Sequence, residues 1–159
     1  MAAPNYSNND YNEKTDFSPL VTIINEQHSA LISLQEVQVQ LQSTLSEVAY
    51  ASLSSQLNVY EQKQSDRFIQ IDALINDNIL RVKKGKTTDN RIFLFGKELR
   101  KIEASIRTIK LFLLDVISML SPTSTDKSRV DDRMQYANQR LHMTKKELED
   151  LEQQIKNLS

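Results

Sequence analysis

The chain has 159 residues, 39% of them apolar, with no cysteine, no tryptophan, two glycines, three prolines and a formal net charge of −1. Lack of cysteine excludes a disulfide framework, a thiolate metal site and palmitoylation. So few breakers argue for long helices and against an α/β or all-β fold, and no apolar run approaches the roughly 20 residues that cross a bilayer.

Residues 1–17 are rich in Asn, Ser and acids and show no periodicity, so a flexible tail is expected. It reads as an uncommitted leader rather than a docking motif built on Tyr6, Tyr11 and Phe17. It has no apolar core of a secretory signal. Ala2 after Met1 rules out N-myristoylation, and no prenylation box closes the chain. The expectation is a soluble intracellular protein, cytoplasm and nucleus not being distinguishable. In that setting the glycosylation-type triplets at Asn5 and Asn157 are chance matches.

Ser18-Pro19 is a good helix start, a hydroxyl N-cap followed by proline at the first helical position. One helix is predicted over about 19–82. Its first seam runs Leu20, Ile24, Gln27, Leu31, Leu34, Gln38, Leu41, Leu45, Val48. Then the phase slips, and the seam resumes at Leu53, Leu57, Tyr60, Gln64, Phe68, Ile71, Ile75 and Val82. A slip without Gly or Pro reads as a stutter in a continuous helix. The small residues Ala49, Ala51 and Ser52 around Tyr50 mark where a bend would fall.

Residues 83–90 form a turn, with Gly85 as helix C-cap and Asp89 as the next N-cap. A helix over about 90–120 follows. Apolar residues recur in steps of three and four at Ile92, Phe95, Leu99, Ile102, Ile106, Ile109, Leu113, Val116 and Leu120, the pattern of a heptad seam. Beyond Lys110 the seam widens, because Leu111, Phe112, Leu114, Ile117 and Met119 add apolar surface off it. Such a helix needs several neighbours. Pro122 and its hydroxyl neighbours end it. Ser128 with Asp131 resembles a capping box, opening a last helix over 128–158 with a seam from Val130 through Met134, Leu141, Leu148 and Ile155 to Leu158.

Segments 53–82, 92–120 and 129–158 have matched lengths of about 45 Å at about 1.5 Å per residue. The fold expected is all-α, a long-helix antiparallel bundle or coiled coil of three or four helices in a single domain over 18–158. Segment 20–50 either projects as an arm that pairs with another chain or bends at 49–52 and folds back as a fourth helix. With nothing at 49–52 to compel a turn, the arm is preferred. Gln27 and Gln38 within its seam agree, since polar seam residues can fix register and partner number.

No catalytic constellation is recognisable. Residues 84–88 lack the upstream glycine and strand of a phosphate loop. His28 and His142 have no partner at ligand spacing, and no nucleophile elbow is present. Neither a cofactor nor a metal is expected. The charge distribution does rise above background. Residues 1–80 carry three basic and ten acidic side chains, whereas residues 81–110 carry ten basic and three acidic. The basic stretch includes Arg81, Lys83, Lys84, Lys86, Arg91, Lys97, Arg100 and Lys101. Compensation by Asp66, Asp72 and Asp77 across the turn is the first expectation, an acidic protein partner the second, nucleic acid or anionic lipid the third. Aromatics for stacking are nearly absent from the stretch.

The function expected is non-enzymatic: a coiled-coil scaffold subunit that oligomerises or assembles with other helical chains in a larger complex. Its interface is expected at Leu31, Leu34, Leu41 and Leu45 on the arm and at Leu111, Phe112, Leu114 and Ile117. The alternative is peripheral binding of nucleic acid or anionic membrane through 81–110.

Overall fold

The computed structural model describes residues 14–43, 47–120 and 127–158. They form an all-α bundle of four long antiparallel helices: α1 Ser18–Ser43, α2 Glu47–Lys83, α3 Arg91–Met119 and α4 Lys127–Lys156. Helices α1 and α3 touch each other and both of the remaining helices, whereas α2 and α4 lie apart across the bundle.

The segment expected to project as an arm is α1, and it is folded back. Phe17 meets Phe95 edge-on at 6.3 Å, Gln27 reaches the Leu99 carbonyl at 3.1 Å, and His28 Nε2 lies 3.5 Å from Glu152 Oε2. The chain therefore packs against itself along a seam that the sequence assigned to a partner. Residues 49–52, where a bend was placed, are helical within α2. Helix α1 ends at Ser43 and α2 starts at Glu47. The single helix predicted over 19–82 is accordingly two, and the phase slip is explained: the faces before and after it belong to helices meeting the core from different sides.

The turn after α2 follows its chemistry. Gly85 has φ +70°, its N–H donates to the Val82 carbonyl at 3.1 Å, and the Lys86 N–H donates to the Arg81 carbonyl at 2.9 Å. Those two bonds are the Schellman closure of a helix, which needs a residue in the left-handed region. The start of α1 is capped two residues earlier than the sequence suggests: the Asp16 carboxylate accepts the Ser18 N–H at 2.9 Å. Ser128 already lies inside α4, so the cap it suggested is not the start of that helix, and Leu45 lies outside the described residues.

The core runs the length of the bundle, through Leu20, Ile24, Leu31 and Leu41 of α1, Leu53, Leu57 and Ile71 of α2, Leu99, Ile106 and Leu113 of α3, and Leu141, Leu148 and Ile155 of α4. The wide apolar end of α3 is covered only in part within the chain: Ile117 is buried, Phe112, Leu114 and Met119 are half-buried, and Leu111 is exposed. Helices α2 and α3 approach closely at Gly96. A Cβ there would stand 2.6 Å from Ile75 Cγ1, so the second glycine is a packing residue and not a breaker.

Candidate interaction surface and buried polar centre

Each of three helices contributes polar residues to one level of the core. Gln27 of α1, Gln64 and Arg67 of α2, and Glu103 of α3 are all buried. Arg67 grips the Glu103 carboxylate with two parallel bonds, Nε to Oε1 at 2.7 Å and Nη2 to Oε2 at 2.9 Å. The same carboxylate accepts from Gln27 Nε2 at 3.1 Å and, weakly, from Gln64 Nε2 at 3.4 Å. Charge-assisted, bidentate bonds are the strong kind, yet burying two charges costs about as much as their attraction returns. What such a centre supplies is alignment, since sliding α2 against α3 would strand a charge and sliding α1 would leave the buried Gln27 amide without its partners. Lys110, also buried, meets Glu61, and the ammonium beside it holds the Glu61 carboxyl below its ordinary pKa.

Beside this centre α1 and α2 part to leave a groove of about 400 Å³, lined by Glu26, Ser29, Ser33, Tyr60, Lys63 and Asp66 among others, with Arg67 in its wall. The guanidinium is committed to Glu103. Among the described residues no three His, Asp or Glu side chains converge as metal ligands would.

A second cluster fixes the end of the bundle at the α2–α3 turn. Asn78 of α2 donates to the Asp89 carbonyl at 2.9 Å and accepts the Phe93 N–H at 2.8 Å, clamping the start of α3. Asp89 accepts from the Arg91 N–H at 3.0 Å, from Arg91 Nη2 at 2.6 Å and from the Thr15 hydroxyl at 2.6 Å. The Arg91 bonds, with that of Thr15, hold the Asp89 carboxyl far below the usual carboxylate range, and the partnership raises the pKa of Arg91. Arg91 also lies 4.9 Å over the Phe17 ring. Residues 14–17, expected in the tail, thus include two anchors of the fold.

The interface expected from the sequence divides. Leu31, Leu34 and Leu41 are buried in the chain's own core and cannot present a surface while α1 is docked. Ile117 is buried and Leu114 and Phe112 are half-buried, with the Phe112 ring 4.5 Å from that of Tyr136 in α4. Only Leu111 of this group is well exposed. The basic stretch divides too. Arg100 bonds Asp72 across the α2–α3 contact at 2.8 Å, Lys101 lies 3.5 Å from Glu98, Lys97 sits 5.4 Å over Phe93, and Arg91 is held by Asp89. Compensation across the turn is therefore real at Asp72 and absent among described ion pairs at Asp66 and Asp77. Lys83, Lys84 and Lys86 remain exposed at the turn, and Arg81 is half-buried beside them.

The feature that sequence reasoning missed lies on the outside of α2. Val48, Ser52, Ser55, Val59, Gln62, Asp66, Ile69, Ala73, Asn76 and Leu80 follow one another in steps of four and three, and every one is exposed. Val48 is 81% accessible, Val59 65% and Ile69 67%. This is a second heptad stripe, opposite the one that packs inward. It carries a single charge in ten positions. From Thr15 to Gln62 the chain has no Lys or Arg at all, and depletion of charge is what marks interface cores off from ordinary surface. The four apolar members were legible as a spacing, but Ser, Gln and Asn between them masked the stripe beside the richer inner seam.

Among the described residues no helix is long and apolar enough to cross a membrane. No protein-family model matches the chain, and no curated protein or solved structure shows a significant match to it.

Proposed function

We propose that the chain is a non-enzymatic helical interaction subunit, assembling with another helix through the outward face of α2. The observation that carries this reading is the stripe from Val48 to Leu80, with four large apolar side chains on a nearly uncharged exposed face. Burying apolar area at about 25 cal/mol per Å² is the main source of binding energy such a surface offers. Apart from it, the polar residues of the bundle are spent on holding the helices in register.

The test is a capture experiment from the native cell type with tagged wild-type chain and with the double variant Val59→Lys, Ile69→Lys. Both side chains are exposed, so circular dichroism and melting temperature are expected to change little. Proteins retained by the wild type are expected to be lost from the variant. An unchanged set of retained proteins contradicts the reading.

A second reading has its own observation, the exposed Lys83, Lys84 and Lys86 around Gly85, which make no ion pair among the described residues. On this reading the turn contacts a polyanion, each lysine contributing about 1 kcal/mol near an anionic membrane surface. Reversing the three charges is then expected to abolish a salt-sensitive binding to heparin or to acidic vesicles, and to leave assembly through α2 intact.

A further inference from the structure

The α2 stripe has an internal symmetry that bears on what covers it. About the level of Gln64, its members pair off in mirror order: Val48 with Leu80, Ser52 with Asn76, Ser55 with Ala73, Val59 with Ile69, and Gln62 with Asp66. Apolar positions fall opposite apolar ones, small or polar ones opposite their like. In an antiparallel pair of helices the residues facing each other are related by such a reversal, and every pair here joins the two alternate seam positions, as knobs-into-holes packing requires. A two-fold axis through this level makes the surface self-complementary, the condition for a closed, isologous dimer.

We propose that the α2 face is covered by the α2 face of a second copy of this chain, antiparallel and centred on the level of Gln64. The inference rests on the interaction reading above and names its partner. Charge complementarity supports the same register. The two-fold brings Lys63 of each copy to within about one residue, about 1.5 Å along the axis, of the level of Asp66 in the other. The stripe's one acid thus meets a base at its edge. Within one helix Gln62 already donates to Asp66 at 3.0 Å, so the polar middle of the seam has a donor and an acceptor in each copy to exchange across the axis. A polar layer at the centre of an apolar seam penalises slipped registers.

The chain has no native cysteine, so engineered ones report on the register cleanly. Ser55→Cys and Ala73→Cys are small changes at exposed positions. In the proposed dimer they face each other, and each is about 27 Å from its own counterpart. A disulfide needs Cα atoms within about 7 Å. The two variants, mixed in an oxidising glutathione buffer, are expected to shift on a non-reducing gel to twice the chain mass. Each alone is expected not to shift, and Val59→Lys with Ile69→Lys added to both chains is expected to abolish the shift. Cross-linking of each variant with itself but not with the other means a parallel pair and overturns the proposal. So does a mixture that never cross-links while light scattering finds only monomer. In that last case, loss of captured proteins from the Val59→Lys, Ile69→Lys variant leaves the interaction reading standing with a different helix in the seat. An unchanged capture removes both.

Discussion

Glu103 is the residue on which the interior turns. Its carboxylate is fully buried and bonded by residues from two other helices, so a change there removes the buried counter-charge of Arg67. Glu103→Leu is expected to cost about 3–5 kcal/mol in chemical denaturation, the range for an ion stranded in a core. Arg67→Met combined with Glu103→Leu is expected to recover much of that loss, because two apolar side chains of similar size avoid the stranded charge. Gln27 and Gln64 were legible as polar members of apolar seams. Their partner was not, because spacing alone gives no sign that a glutamate beside Ile102 faces inward; it takes the docking of α1 to close that side.

Asp89 makes a pH prediction at the same scale. Its folded pKa lies below the unfolded value near 3.8, and Glu61 is shifted in the same direction. A depressed carboxylate contributes stability that is fully present above the unfolded value and is lost as pH falls through it toward the folded one. The melting temperature is therefore expected to fall below about pH 4. In Asp89→Asn the fall is expected to be shallower, from a lower starting stability at neutral pH, because the asparagine has no charge to lose.

At the scale of elements, two contacts set how the helices meet. Gly96 lets α2 and α3 approach until a methyl group has no room beside Ile75. Gly96→Ala gains about 1 kcal/mol of helix propensity but meets an overpacking cost of about 1–3 kcal/mol, so a net loss of thermal stability is expected. Asn78 holds the start of α3 through two bonds, and Asn78→Ala is expected to cost about 1–3 kcal/mol by leaving a backbone donor and acceptor without that partner. Helix type, the Gly85 turn and the α3 seam were all legible, because periodicity and turn chemistry are local. The reversal between α1 and α2 was not. It has no glycine or proline to announce it, and the energy that favours it lies in contacts with α3 and α4, far along the chain.

At the scale of the whole molecule, the polar and apolar surfaces have been divided by role. The ten basic residues of 81–110 are offset in part within the chain, through Asp72, Glu61, Glu98, Asp89 and, for the acid in their midst, through Arg67. Two of the ten, Arg100 and Lys110, join α3 to acids of α2. The stretch from Thr15 to Gln62, which has no Lys or Arg, supplies α1 and the first part of α2, and Val21, Ile32, Val39, Val48 and Val59 are exposed there. On this account the interior is structural and the outside of α2 is where assembly occurs. The direct test is the mass in solution, by light scattering after chromatography, of two variants beside the wild type, each first shown to be helical. The account predicts that Arg67→Met with Glu103→Leu keeps the wild-type assembly, and that Val59→Lys with Ile69→Lys falls to the single-chain mass of 18.3 kDa. Assembly that survives the outer change and is lost with the inner one would contradict it.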